Sequence, residues 1–398
     1  MKRAAPALEA ALEQLTRLDL RRSRATVDGF PSADTRAVRL TSGRSLIDFS
    51  SNDYLGLARH PALAEAMSAC AARTGAGSGA SHLVTGHGAE HEALQEELAA
   101  FTHRERALLF STGYMANLAV LATLAGRGER VLLDRLSHAS LIDGALLSGA
   151  RLRRYAHADA AAAERLLAAH ALRTALLATD GVFSMDGDLA PLPALARAAH
   201  EAGAWLVVDD AHGLGVVGAT GRGALEHFGL DAGAVPVLVG TLGKALGSFG
   251  AFVAGGADLI EILIQKARPY IYTTAMPQPV AAATRRALEL AHVESWRRER
   301  VLALTARFRR HAREAGVPLG ESPTPIQPVL FGSAAAALAA QRELEAAGFW
   351  VVAIRPPTVP RGSSRLRVTL SAAHTEAQVD ELVERLAHCA AGARSEPA

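Results

Sequence analysis

The chain has 398 residues, 49% of them hydrophobic and 21% charged, with a formal net charge of +2. This is a globular composition with room for a large core and two domains; the near-balanced charge gives no case for nucleic acid, and no run nears the ~18 apolar residues of a membrane span. Cys70 and Cys389 suggest neither a disulfide framework nor a zinc site, and the N-terminus Met1-Lys-Arg-Ala-Ala-Pro6 leads into a segment without a signal peptide's apolar core, so a reducing cytoplasm is the expected location.

Apolar positions at Leu8, Leu12, Leu15 and Leu18 predict a helix over residues 6–20, followed by Arg21, Arg22 and Arg24. Cations suit a helix C-terminus; anion binding is the alternative reading of them. Short β segments are expected at 37–40 and 45–49. The polar, turn-rich stretch Ser50 to Leu57 is either the rim of a site or an ordinary connection. A helix follows from Pro61 to about Arg73, closed by Gly75 and a Gly/Ser tract. His87-Gly-Ala-Glu90-His91 fits the inverted zinc-protease pattern H-x-x-E-H. Gly86 and Gly88, however, put the first His at or before the helix start, so capping and surface packing are expected there and no metal.

Arg106–Phe110 reads as a strand, and Ser111-Thr112-Gly113 then leads into a helix beginning near Tyr114. Such a turn is an anion cradle of unpaired N–H groups, or merely a cap. Strands at Val131–Asp134 and Leu176–Asp180 precede His138 and Ser184, and a helix spans 191–202. The apolar run Trp205–Asp209 delivers a carboxylate at its carboxyl end, with His212 just beyond. Val235–Val239 is a strand that ends in a Gly-rich turn carrying Thr241 and Lys244. Strand–helix alternation over 106–254 predicts an α/β domain with a mostly parallel sheet. Ser111, His138, Ser184, Asp209, His212 and Lys244 all fall beyond strand carboxyl ends, where ligands of such sheets sit.

Two motif matches are decoys. Gly213-Leu-Gly215-Val-Val-Gly218 fits G-x-G-x-x-G, but residues 219–223 do not open a helix to receive a pyrophosphate. A phosphate loop around Lys244 fails at Leu238 and Ala245. Ala-rich helical segments run from about 279 to 316. A smaller α+β unit then spans Ile326 to the end, with helices at 334–347 and 375–390, strands at 349–354 and 365–370, and a proline-stiffened loop at 355–362.

Of 42 Lys and Arg residues only Lys2, Lys244 and Lys266 are lysines. Arg cannot shed its proton, whereas a desolvated Lys exposes a neutral amine that adds to carbonyls; a snorkelling side chain is the other reading of Lys244. The Lys244 amine, the Asp209 carboxylate, the flat imidazole of His138 and a cradle of Ser111, Thr112 and the N–H groups of Gly113 and Tyr114 together suit one cofactor, pyridoxal 5'-phosphate. Ser184 and His212 stand where they reach its ring hydroxyl oxygen.

Ser50-Ser-Asn-Asp-Tyr-Leu-Gly56, Arg135-Leu-Ser-His138-Ala-Ser140, Gly181-Val-Phe-Ser-Met-Asp-Gly187, Val208-Asp-Asp-Ala-His-Gly213 and Thr241-Leu-Gly-Lys244 follow one another in a known order. Over nearly its whole length the chain resembles the α-oxoamine synthases, fold-type I pyridoxal-phosphate enzymes. The resemblance implies an α/β, aspartate-aminotransferase-like architecture. Its parts are an N-terminal helix and β segment over 1–48, a cofactor-binding domain with a mostly parallel seven-stranded sheet over 49–285, and a smaller C-terminal α+β domain over 286–398.

Within the family, Ala353-Ile-Arg-Pro-Pro-Thr-Val-Pro360 and Leu20-Arg21-Arg22 look most like the branch that joins L-alanine to a pimeloyl thioester, carried by coenzyme A or an acyl carrier protein, with loss of carbon dioxide. Sister synthases that use glycine, of the 2-amino-3-ketobutyrate CoA ligase or 5-aminolevulinate synthase type, are the alternative. A nicotinamide oxidoreductase built on Gly213–Gly218 is a distant one. The resemblance also implies catalytic work for Lys244, His138, Asp209 and His212, and stacking by Tyr114. It puts Thr241 on the phosphate, helped by Thr273 or Thr274 of the partner subunit, and so implies a homodimer with shared active sites. Arg367 would hold the amino-acid carboxylate, Arg21 the acyl substrate, and Asn52 and Thr358 would line the acyl path.

Overall fold

Seven short runs, six of them rich in Leu, Val and Ala and the last in Arg, form one sheet, in the order Arg106–Phe110, Ala251–Gly255, Val237–Thr241, Trp205–Asp209, Thr174–Asp180, Arg130–Asp134 and Arg151–Tyr155. The structure is a computed structural model that describes residues 5–31, 36–168 and 174–395; Lys2 and both extreme ends of the expected terminal domains lie outside the described residues. Only Ala251–Gly255 runs antiparallel to its neighbours in this sheet. The mostly parallel, seven-stranded arrangement is the expected one.

Continuous apolar runs, rather than alternating ones, are what a sheet covered on both faces requires. Val131, Leu133, Val207, Val237 and Val239 pack with Ala116, Ala119 and Val120 of the helix Gly113–Leu124. The intervening Leu132, Leu206, Val208 and Leu238 pack on the other face with Leu192, Leu195 and Ala199 of the helix Leu192–Glu201. Each such buried side chain contributes roughly 1.5–3 kcal/mol. The strand before Lys244 begins at Val237, two residues later than its apolar run, because Pro236 has no N–H for the ladder and pairing starts at Val207 with Val237. Six strands therefore run the same way and end on one edge of the sheet, at Phe110, Asp134, Tyr155, Asp180, Asp209 and Thr241.

This sheet belongs to a unit made of Asn52–Ser184 and Asp188–Arg300; a second unit holds the residues up to Ser51, Met185–Gly187 and those from Val301 onward. In the second unit, Ala37–Leu40 and Ser45–Asp48 pair antiparallel, and Phe349–Trp350 adds to the latter in parallel. Val352–Ile354 instead pairs antiparallel with Ser364–Thr369. The single strand expected over 349–354 is thus divided between two sheets. The Ser50 hydroxyl marks the division: it donates to the Trp350 carbonyl at 3.2 Å and accepts from Val352 N at 2.9 Å.

Candidate active site

In the first unit the strand Val237–Thr241 runs into a turn that places Lys244 Nζ 2.7 Å from His212 Nε2. His212 Nδ1 lies 2.6 Å from Tyr54 Oη, which in turn donates to Asn52 Oδ1 at 3.3 Å. One set of hydrogens satisfies all three contacts. Tyr54 gives its only hydroxyl proton to Asn52, His212 donates from Nδ1 to Tyr54, and its Nε2 lone pair receives an N–H of Lys244. Asn52 and His212 were expected near the site; the hydroxyl between them was not.

Asp209 ends the neighbouring strand, paired with Val239, and is only 6% exposed. Its Oδ1 accepts from Ala211 N at 3.1 Å and its Oδ2 from Asn117 Nδ2 at 2.6 Å. Asn117 is fully buried and also donates to Ser140 Oγ at 2.8 Å. It is the one strongly polar residue in an otherwise apolar stretch of the helix Gly113–Leu124, and that break in pattern was the available signal for it. Among the described residues Asp209 makes no ion pair with Lys or Arg. A buried carboxylate served only by neutral donors is prepared for a cationic N–H partner.

His138 caps the helix Ala139–Ser148: its Nδ1 accepts from Ser140 N at 3.3 Å and lies 2.7 Å from Ser140 Oγ. Its backbone N–H donates to Asp180 Oδ2 at 3.0 Å. Burial lowers the imidazole's pKa, partly offset by the Asp209 charge, so the ring is held neutral. Burial, followed by the Asp209 charge, raises the Asp180 carboxyl well above its ordinary value.

Thr112 caps the helix Gly113–Leu124 through a 3.1 Å bond from Met115 N to its Oγ1, which leaves its own hydroxyl proton to give. No protein acceptor takes the N–H of Gly113 or Tyr114 among the described residues, and a Cβ built on Gly113 would meet nothing within 4 Å. Cap and cradle, the two readings of this turn, therefore coexist. The Tyr114 side chain turns to Asp143, to which its hydroxyl donates. Thr241 Oγ1 donates to the Gly250 carbonyl at 3.1 Å. Ser184 follows Phe183 at the end of the turn beyond Asp180. An amine, a buried carboxylate lacking a cation and an open N–H cradle at one sheet edge form the donor set that pyridoxal phosphate needs.

Thr273 donates to the carbonyl of Pro269, and Thr274 bridges to Ser81. Among the described residues neither bonds to the Lys244 cluster of its own chain. In the second unit, a cleft of ≈ 600 Å³ is lined by Arg21, Arg22, Arg24, Trp350, Arg355 and Thr358, and Arg22 Nη2 donates to Thr358 Oγ1 at 3.3 Å. Arg367 lies on the strand Ser364–Thr369 and donates to Thr369 Oγ1 at 3.2 Å.

Of the glycines in the dinucleotide-like pattern, Gly213 makes room for a buried acid, as do Gly181 and Gly223 outside it. A Cβ on Gly213 would stand 2.1 Å from Asp210 Oδ1, one on Gly181 2.5 Å from it, and one on Gly223 1.8 Å from Asp210 Oδ2. The helix that follows, Ala224–His227, has four residues, and its Ala224 N already donates to Asp210 Oδ2 at 2.6 Å. No pyrophosphate seat remains there. The H-x-x-E-H histidines lie with His82 in a cluster whose ring nitrogens are within 4.8 Å of one another. His91 Nδ1 accepts from Gly88 N at 3.0 Å and its Nε2 donates to the Met276 carbonyl at 2.7 Å, while His82 and His87 share a 2.9 Å contact between their Nδ1 atoms. His91 thus offers no free lone pair to the cluster.

Residues 44–386 match the family described as class I and II aminotransferases. An 8-amino-7-oxononanoate synthase from Methylococcus capsulatus is 61% identical over 378 residues, which span 95% of this chain and 97% of that protein. Among solved structures, a serine palmitoyltransferase from S. paucimobilis with bound PLP superposes with a TM-score of 0.91 at 29% identity, covering 98% of each chain. An 8-amino-7-oxononanoate synthase from Francisella tularensis superposes with a TM-score of 0.76 at 32% identity, covering 86% of this chain and 97% of that one.

Proposed function

Since the chain belongs to the class I and II aminotransferase family and, within it, to the 8-amino-7-oxononanoate synthases, we propose that Lys244, Asp209, His138 and His212 carry that group's reaction here. The reaction is a decarboxylative condensation, in biotin biosynthesis, of L-alanine with a pimeloyl thioester. It releases 8-amino-7-oxononanoate, carbon dioxide and the free thiol. Pyridoxal phosphate, when bound, supplies the carbonyl that takes up an amine and the electron-poor ring that stabilises a carbanion.

Lys244 Nζ is the base: it takes the α-proton of alanine and returns a proton to the same carbon after carbon dioxide has left. His212, 2.7 Å away, orients that amine and with Tyr54 fixes where its hydrogens point. Asp209, aimed by Asn117, would hold the proton on the cofactor's pyridine nitrogen. His138, neutral, would stack on the cofactor's ring, and Ser184 and His212 would hold its ring oxygen. Ser111, Thr112, the N–H groups of Gly113 and Tyr114, and Thr241 would hold its phosphate, joined by Thr273 or Thr274 of the partner subunit in a homodimer. Arg367 binds the alanine carboxylate as a planar fork. Arg21 meets the acyl substrate, and Asn52 and Thr358 line its path. Residues 49–285 act as the cofactor-binding domain between the segments 1–48 and 286–398. Among the described residues no helix is long and apolar enough to cross a membrane, and the cytoplasm is the proposed location.

The observation that carries this reading is the pairing of Asp209 with Val239 on the strand that runs on into Lys244, which sets acid and amine on adjacent strand ends. The protein, loaded with pyridoxal phosphate, is incubated with pimeloyl-CoA and either L-alanine or glycine, and products are read by mass. 8-Amino-7-oxononanoate formed from alanine is the expected result; turnover confined to glycine would move the chain to a sister synthase.

A further inference from the structure

Just past the strand Arg151–Tyr155, His157 stands between two carboxylates. Its Nδ1 is 3.0 Å from Asp134 Oδ1 and its Nε2 is 3.0 Å from Asp188 Oδ2. Both contacts are hydrogen bonds only if both ring nitrogens carry protons, so the ring is an imidazolium. Burial by itself would lower its pKa; the bonds to Asp134 and Asp188 override that and raise it to about 10.

The two acids are not equally secured. Asp134 also accepts from Leu136 N and Ala158 N, each at 2.8 Å, and Ala158 takes a left-handed φ of 51° to reach it. Asp188 Oδ1 is buried and has no partner among the described residues, so His157 is the cation that holds this carboxylate. Asp188 closes the turn that contains Ser184: its carbonyl accepts from Phe183 N at 3.0 Å, and Val182 bridges to Leu189. The edge of the Phe183 ring meets His157 at 4.4 Å between centroids, at 84°.

We infer that His157 is a positioning residue of the proposed reaction: as a cation bridging Asp134 and Asp188, it fixes the turn bearing Ser184 to the strand end that precedes His138. It touches neither substrate nor cofactor. The inference rests on the cofactor roles proposed above for Ser184 and His138.

The test uses the full chain freed of cofactor, as wild type, His157→Gln, and His157→Gln with Asp188→Asn. The readouts are deuterium uptake over 181–189 and the dissociation constant for pyridoxal phosphate, read by absorbance. Neither needs alanine or thioester, so failure of the substrate assignment leaves the result intact. His157→Gln is expected to weaken pyridoxal phosphate at least tenfold and to speed exchange in 181–189 while the strand Arg106–Phe110 keeps its protection. Removing the stranded charge in the double variant should recover a large part of both. Wild-type affinity and exchange, or protection lost evenly along the chain, would overturn the inference. Should His157→Gln not fold, Asp188→Asn alone cuts the same bond from the other side and must loosen the same segment; unchanged exchange there overturns it equally.

Discussion

Asn117 Nδ2 lies 2.6 Å from Asp209 Oδ2, across 92 residues of sequence, and is the side-chain donor that aims a buried carboxylate at the sheet edge. Replacing one partner of such a pair strands the other, at a cost of about 1–3 kcal/mol. Asn117→Ala should therefore weaken pyridoxal phosphate by roughly ten- to a hundredfold. Titration of the cofactor-free protein decides it, and unchanged affinity would remove Asn117 from the site.

Lys244 is the only proposed base. Lys244→Ala should abolish turnover while the protein still unfolds cooperatively within a few degrees of the wild type. Lys244→Arg should be equally inactive, because it keeps the cation but cannot present a neutral amine. Activity in either variant would defeat the mechanism.

Tyr54→Phe deletes the acceptor for His212 Nδ1 and leaves the ring free to change tautomer. A loss of about tenfold in kcat is expected, from a bond worth roughly 1–1.5 kcal/mol, with KM for the thioester little altered. Equal loss in kcat and gain in KM would point to general disruption instead.

Burial, then the neighbouring Asp209 charge, pushes the Asp210 carboxyl up to about 8 from 3.8. The folded state thus holds the extra proton between those values. Its contribution to stability is complete below about pH 4 and is lost as pH rises through 8. Asp210→Asn cannot ionise, so its stability relative to the wild type should climb from pH 5 to pH 8. Urea unfolding of the cofactor-free protein at both values measures this; a difference independent of pH would mean that Asp210 is ionised throughout.

The local order of residues determined much of this protein. Apolar runs followed by small-residue turns specify buried parallel strands, and such strands put Ser111, His138, Asp209 and Lys244 on one edge whatever their neighbours. The long motifs Ser50–Gly56, Gly181–Gly187 and Val208–Gly213, by their order, indicated the family and its cofactor. What only the tertiary structure decided are pairings without a local signature. Tyr54 reaches His212 and Asn117 reaches Asp209 because separate turns and helices are packed on one sheet. The run 349–354 divides between two sheets because a hydroxyl from Ser50 interrupts it. Gly213 and Gly223 are glycines because Asp210 fills the space a Cβ would take, which a spacing pattern cannot distinguish from a phosphate loop. Periodicity records which face of a segment is buried; the side chain it meets there is settled by packing between distant parts of the chain.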